Sequence, residues 1–472
     1  MSLTKNFFWS AVERFSTQII QFVIGILLAR LLGPSEYGII SILMVINSFL
    51  QIFIDSGFSK ALIQKKERTK LDYSSVYLFN IGIGIICYII LFLFSPLLET
   101  FYEIKNLSIY TRIVGISLVI NTFYTVTQTD LIIRLDFKSI AKVNFISSLV
   151  SGLLAIWAAY LGFGVWALII QILLKSFISL IIYQFFKKYD FGYNYSQASI
   201  RTLYRFGSNI LYGSILNTLV NNFSTIFIAK MYNTQSLGFY TRGTQFTDVV
   251  YNTFSSILDN VLLPSFCQLS GDIEAIKNEF IKVYRYVVLL LWPIFLLLAL
   301  LAEPIIRLLL TDKWLMSVQV MQLFAIARFI SILSGLNISV LYSIGKSNLV
   351  LKQQILKILV RLILIGMALP FDIYYVALAE LVSTGIHFFI NTYYPGKILK
   401  VSGFKQLVAT SKIFISSITI FVTTWIINYL FSNSLIIILL SLVLGLSTYI
   451  VSLKLLKVEE LNYILNRKIL KK

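Results

Sequence analysis

Fourteen runs of apolar residues, each long enough to cross a bilayer, dominate this 472-residue chain. A helix of about 20 such residues spans the hydrocarbon core. The runs fall near 7–32, 38–59, 76–98, 109–130, 143–161, 164–186, 207–230, 239–262, 286–311, 317–343, 353–371, 373–395, 409–431 and 434–453. Lipid supplies no hydrogen-bond partners, so each run must satisfy its own backbone as a helix. The expected fold is therefore all-α: a polytopic membrane protein of about fourteen transmembrane helices. Turn signals separate many of the runs, among them "GPSEYG" at 33–38, "GFG" at 162–164 and "PFD" at 370–372. The first run is too long for a signal peptide and is expected to stay as the first membrane helix. No interval between runs is long enough for a folded extramembrane domain.

Charge orients the runs. Placing the N-terminus in the cytoplasm puts twenty-eight lysines and arginines on inside segments, against Lys105 and Lys313 outside. That asymmetry is the positive-inside pattern, and it requires an even number of spans with both termini cytoplasmic. The net charge of +19 could suggest nucleic acid. Its confinement to short clusters between apolar runs argues instead for the cytoplasmic loops of a polytopic membrane protein.

The chain also repeats. "LLARLLGPSEYG" at 27–38 resembles "FIAKMYNTQSLG" at 227–238, pairing Arg30 with Lys230 and Gly38 with Gly238. Asp55 and Gln64 pair with Asp259 and Gln268, and "SP" at 95–96 with "EP" at 303–304. Six spans separate the copies, so the halves share orientation. The expected organisation is a six-helix lobe over 1–200, a second over 201–396, and two further helices with a basic tail over 397–472. Polar stripes mark the first helix of each lobe. Arg14, Gln18 and Gln21 lie on one helical face, with Glu13 beside them. Ser214, Asn217, Asn221 and Ser224 repeat the pattern in the seventh helix. Such faces are expected to line a cavity between the lobes.

Ten basic residues fall inside spans, and each needs a reason to be there. Arg30, Lys230, Arg112, Arg242, Arg307 and Lys357 lie near span ends, where long side chains snorkel to water. Lys175, Arg328 and Arg361 lie deeper; with Arg14 they are the candidate cavity cations. The competing reading for these four is an internal ion pair that only sets helix packing. Seven acids share the spans: Glu13, Asp55, Asp130, Asp248, Asp259, Glu303 and Glu380. Asp55, Asp130 and Asp259, at cytoplasmic ends, read as caps or loop partners. Asp248 and Glu380 are deep enough to exchange a proton in a transport cycle, or to neutralise a nearby arginine. The excess of fixed positive charge favours an anionic guest, and arginine suits phosphate through its planar fork.

Other chemistry has no residues to carry it. Cys87 and Cys267 lie in different segments and read as apolar fillers. The single histidine, His387, cannot build a metal site alone. There is no phosphate-binding GxxxxGK[ST] loop, and no nucleophile with a base at useful spacing. The expectation is a non-enzyme without cofactor or metal.

The stretches "WSAVERFSTQIIQFVIGILLARLLGPSEYG" and "FIDSGFSKALIQKKERTKLDYSSVYLFN", with "LPSF" at 263–266 and "EP" at 303–304, resemble the polysaccharide transporter family. That family comprises flippases of the O-antigen, capsule and colanic-acid type, in the superfamily that includes MATE exporters and the lipid II flippase. The resemblance implies a V-shaped pair of lobes working by alternating access, driven by an ion gradient. It implies as substrate an undecaprenyl-pyrophosphate-linked oligosaccharide moved from the inner to the outer leaflet, with a polysaccharide polymerase as a partner. It implies functional cations matched here by Arg14, less well by Arg30 and more loosely by Arg242; the residues themselves add Gln18, Gln21, Lys175, Arg328 and Arg361 as substrate-site candidates, and Asp248, Glu380 or Glu13 for ion coupling. A MATE-like exporter of a small soluble compound and a non-transporting scaffold for polysaccharide assembly remain as alternatives.

Overall fold

The computed structural model describes residues 3–55, 58–65, 67–186, 194–269 and 271–461; the side chains of 3–16, 205–210, 212, 213, 216, 217 and 260 lie outside the described set. The described chain is helical with no strand, and it divides into two compact units, Met1–Gly238 and Phe239–Lys472.

The first unit holds α1 (Leu3–Leu31), α2 (Pro34–Asp55), α3 (Phe58–Gln64), α4 (Lys70–Tyr102), α5 (Leu107–Ile133), α6 (Phe137–Tyr160), α7 (Val165–Phe186) and α8 (Gln197–Met231). Local chemistry sets the breaks. Pro34 opens α2 where its missing N–H costs nothing, and the Glu36 carboxylate accepts from Gly33 N–H at 3.0 Å. Thr69 caps α4 in a reciprocal box with Asp72, whose carboxylate returns to the Thr69 N–H at 2.9 Å. The "GFG" turn between α6 and α7 places Gly162 and Gly164 at φ +83° and +55°, the left-handed region that glycine reaches without strain. Packing follows residue size. α6 buries Ser147, Ser148, Ser151, Gly152, Ala155 and Ala159 and packs on α1. Small side chains permit that approach; a Cβ on Gly152 would lie 2.1 Å from the Ile24 side chain.

α9 (Thr234–Gln268) crosses the boundary. The second unit continues with α10 (Ile273–Leu300), α11 (Ala302–Leu309), a 3₁₀ turn (Asp312–Trp314), α12 (Ser317–Ser343), α13 (Ser347–Ala368), α14 (Ile373–Leu399), α15 (Gly403–Ala409), α16 (Ser411–Ser416), α17 (Ile418–Leu430) and α18 (Ser434–Leu455). Asp272 caps α10 and Asn433 caps α18. The core joins Phe280, Phe295 and Phe329 to Ile413, Ile420 and Tyr449, so the last two spans are part of this unit's interior. Tyr449 donates to the Leu289 carbonyl at 3.1 Å.

All fourteen expected spans coincide with helices. Ten of the described helices are long and apolar enough to cross a membrane. α1, α8, α9 and α13 are as long, at 29, 35, 35 and 22 residues, but carry the polar and charged positions singled out above. The ninth span departs most from its expected limits. Its helix starts at Ile273 rather than 286, runs through Lys277, Lys282 and Arg285, and breaks at Leu301. The basic turns extend the helix beyond the apolar run.

The repeat reappears in element ends. α1 ends at Leu31 and α8 at Met231; α2 starts at Pro34 and α9 at Thr234. Helix pairing also recurs: α4 with α5, α6 with α7 and α5 with α7 correspond to α10 with α12, α13 with α14 and α12 with α14. One pair breaks the rule. α1 packs on α6, whereas its repeat-mate α8 packs on α2, α3 and α4, and Ser75 Oγ accepts from Ser196 N–H at 2.8 Å. For that reason the compact units divide after Gly238 rather than at the expected 200/201. At the outer limit of this unit the repeated turns meet each other. A Cβ on Gly38 would lie 1.7 Å from the Thr234 carbonyl oxygen, and one on Gly238 would lie 1.9 Å from that of Pro34. Two glycines related by the repeat thus let two backbones touch.

Candidate functional site

Two polar interiors stand out, one in each unit. In the second unit, charged residues from four helices form a belt. Arg328 on α12 donates through Nε to Asp248 on α9 at 2.5 Å. The rings of Tyr251 and Phe324 each lie 5.3 Å from its guanidinium carbon, which adds cation–π attraction. Arg361 on α13 donates through Nε at 3.0 Å and Nη2 at 2.5 Å to a single oxygen of Glu380 on α14. Glu380 is buried, at 6% exposure. One turn further along α14, Ser383 and His387 are 3.1 Å apart, and the His387 ring also bonds to the Lys357 carbonyl at 2.9 Å. That carbonyl bond uses Nε2 as a donor, so the one histidine is a packing element.

The belt contains Arg328, Arg361 and Lys357 against Asp248 and Glu380, a surplus of one positive charge. Lys357 makes no ion pair among the described residues. Helical spacing assembled the group: Lys357 and Arg361 are four apart, as are Ser383 and His387.

The first unit carries a different interior. A cavity of about 410 Å³ lies between α2, α5 and α7. Eight of its eleven lining residues bear polar side chains, which is far from the apolar lining usual for small-molecule pockets. α2 supplies Asn47, Ser48, Gln51 and Asp55; α5 supplies Asn121, Tyr124, Thr125 and Gln128. A directed chain of hydrogen bonds crosses it. Tyr124 OH donates to Asn121 Oδ1 at 2.8 Å, Asn121 Nδ2 to Gln51 Oε1 at 3.3 Å, and Gln51 Nε2 to Asp55 Oδ1 at 3.2 Å. No group of three or more His, Cys, Asp or Glu residues able to hold a metal ion occurs among the described residues.

The expected site residues are distributed between and beyond these interiors. Arg328 and Arg361, expected as free cavity cations, are each committed to a carboxylate. Those carboxylates are Asp248 and Glu380, the residues expected to couple ions. Four separate roles thus resolve into two ion pairs. Arg242 is buried; it donates to Gln245 and lies 6.0 Å over Trp314, a local anchorage near the start of α9. Arg30 is exposed in the last turn of α1, the snorkelling position. Gln18 is half-buried and Gln21 exposed. Lys175 is half-buried on α7, one turn beyond Ile172 of the cavity wall. The side chains of Glu13 and Arg14 lie outside the described residues. The cavity was legible in principle: 44, 47, 48, 51 and 55 share one face of α2, and 114, 121, 125 and 128 one face of α5. Reading Asp55 as a cap concealed it.

Residues 27–319 match the family described as polysaccharide biosynthesis protein. The chain belongs to that family. Its relatives include a teichuronic acid biosynthesis protein, TuaB, of Bacillus subtilis, 26% identical over 72% of this chain and 71% of the relative. The lipopolysaccharide biosynthesis protein WzxC of Escherichia coli is 24% identical over 67% and 65%. The succinoglycan biosynthesis transport protein ExoT of Rhizobium meliloti is 24% identical over 69% and 66%. Among solved structures, the lipid II flippase MurJ in an inward closed conformation superposes with a TM-score of 0.73 at 15% identity, covering 98% of this chain and 99% of that one. An inward-facing multidrug MATE transporter superposes at 0.62 and 13% identity, over 83% and 99%. The family member described here therefore has the fold shared by MurJ and MATE transporters, and it is a multi-pass membrane protein.

Proposed function

We propose that this protein is a flippase that moves an undecaprenyl-pyrophosphate-linked oligosaccharide from the cytoplasmic to the periplasmic leaflet of a bacterial inner membrane. It does so by alternating access coupled to an ion gradient, with both termini cytoplasmic. Family membership carries the reading: relatives are named for polysaccharide biosynthesis and transport, and the fold is that of a lipid II flippase. The charged belt supports it physically. A pyrophosphate is an acceptor for paired N–H donors, and the belt offers a lysine without a carboxylate beside two arginines already held by acids. In this reading Lys357 meets the phosphate first. Arg361 and Arg328 then exchange their carboxylates for phosphate oxygens, so binding of the anion and release of Glu380 and Asp248 are one event. Arg14 and Lys175, in the first unit, are the further candidate cations. The protein forms no covalent bond with its substrate, and the polymerase that elongates the glycan is its downstream partner.

The test is deletion of the gene followed by analysis of the lipid-linked intermediate that accumulates. A repeat unit retained on the cytoplasmic face, restored to the outer face by the intact protein but not by Lys357→Ala at equal abundance, is the expected result. Export of small cations with no effect on lipid-linked glycan would sink it in favour of a MATE-like exporter. Full complementation by Lys357→Ala, Arg361→Ala and Arg14→Ala alike would leave only a scaffold.

A further inference from the structure

The cavity of the first unit offers oxygen acceptors whose own protons are already placed, around one carboxylate. The hydroxyl proton of Ser48 goes to the Val45 carbonyl at 2.7 Å, that of Thr125 to the Asn121 carbonyl at 2.8 Å, and that of Tyr124 to Asn121 Oδ1. Each hydroxyl oxygen keeps lone pairs. Asn47 Oδ1 is buried with no hydrogen-bond partner. Asp55 receives Gln51 on one carboxylate oxygen, Oδ1, and its second has no partner among the described residues. A buried acceptor left without a partner costs free energy, so Asn47 Oδ1 beside the Asp55 carboxylate calls for a cation or for water.

The charge count narrows the cation. Asp55 is the one carboxylate among the eleven lining residues. Divalent ions are held by oxygen sets richer in carboxylates. One acid among neutral oxygens balances a single positive charge. The polar chain does not suit a proton wire: an amide cannot pass a proton along without changing its tautomer, so Asn121 and Gln51 fix dipoles instead. One N–H of Asn121 orients Gln51, and one N–H of Gln51 holds the Asp55 carboxylate in place. The volume of about 410 Å³ accommodates an ion with several waters, at roughly 30 Å³ each.

We propose that this cavity is a sodium-ion site, with Asp55 as its charged ligand and Asn47, Ser48 and Thr125 as neutral oxygen ligands. The proposal moves ion coupling away from Asp248 and Glu380, which are occupied by arginines, to a carboxylate with no arginine partner among the described residues. It rests on the flippase reading only for the word coupling, since binding is measured with no glycolipid present. The charge that bears on Asp55 is that of Lys60 on α3, an exposed lysine. The field of Lys60 therefore disfavours a second cation at the same carboxylate.

Purified full-length protein in detergent, titrated with NaCl against choline chloride at constant ionic strength and pH 7.5, provides the test. A saturable rise in unfolding temperature with sodium, absent with choline, is expected. Asp55→Asn abolishes the response, Asn47→Ala weakens apparent affinity by about tenfold, and Lys60→Gln strengthens it. If Asp55→Asn does not fold, Asn47→Ala and Lys60→Gln, with their opposite signs, carry the test. The proposal is overturned by equal responses to sodium and choline, by a response that follows pH alone, or by a sodium response unchanged in these variants. A failed ion test leaves flipping to be judged by the lipid-linked intermediate, and failed flipping leaves ion binding intact.

Discussion

The two units use one helix-pairing pattern and fill it with opposite chemistry. Between α9, α12, α13 and α14, charges are matched: Arg328 with Asp248, Arg361 with Glu380, and Lys357 left over. Between α2, α5 and α7, a single carboxylate ends a chain of neutral amides and a phenol. The scaffold is thus indifferent to what its interior holds, provided that small residues allow the helices to approach. A buried ion pair contributes little net stability, because both charges lose water, yet breaking one is costly. The cavity, with one carboxylate held by a neutral amide, has no opposite charge to strand when one member changes. The matched interior suits an anion that displaces carboxylates; the unmatched one suits a cation.

This contrast is most exposed at Glu380. Glu380→Ala strands the Arg361 guanidinium and should cost about 3–5 kcal/mol, seen as loss of monodisperse protein on size-exclusion chromatography. Glu380→Leu combined with Arg361→Met should recover most of it. Asp55→Asn in the other unit should leave the protein folded in the absence of sodium. Equal damage from Glu380→Ala and Asp55→Asn would erase the distinction between the two interiors.

Next in size is the backbone crossing. Gly38→Ala places a methyl group 1.7 Å from the Thr234 oxygen and should destabilise by about 1–3 kcal/mol or more. Gly82→Ala, with no atom within 4 Å of the added Cβ, is the matched control, and a thermal shift that ranks them in reverse refutes the close approach. A smaller effect is expected on transport alone. Lys357→Ala should lower the rate of lipid-linked glycan translocation by about tenfold, the equivalent of ~1.4 kcal/mol, at unchanged unfolding temperature. Lys60→Gln should leave that rate unchanged at saturating sodium.

The smallest effect lies at the membrane surface. Lys230 Nζ is 2.9 Å from Glu103 Oε1, just beyond the end of α4, and holds that carboxyl below its usual range. A carboxyl with a depressed folded value contributes stability above its unfolded value and loses it as pH falls through the folded one. Glu103→Gln should therefore lower the unfolding temperature slightly at pH 7, and the gap from the unaltered protein should close on acidification. Salt should shrink it as well, because the pair is exposed.

Side-specific contacts agree with the span count read from sequence. The ends of α4 and α8 meet at Glu103 and Lys230, and their beginnings at Ser75 and Ser196, so these helices run the same way. Both are odd-numbered spans. In the second unit Arg285, early in α10, reaches Glu460, beyond α18, at 2.8 Å, which joins the basic side of the ninth span to the segment after the fourteenth. Periodicity could locate Arg328, Asp248, Arg361 and Glu380 at depth. It could not say that they would find each other, because each pair joins helices 19 to 80 residues apart in sequence. The cavity was harder still to see: its polar face on α2 was diluted by apolar neighbours, and Asp55 stood where a cap belongs.

Sequence alone determined the fold class, the number of spans, their alternation across the bilayer and the internal repeat. Those properties follow from transfer free energies and from loop charge, which act residue by residue. Tertiary structure alone decided which charge is answered by which, where α8 packs, and where a wet interior remains. Such outcomes depend on distances between helices, and a linear pattern contains no term for them.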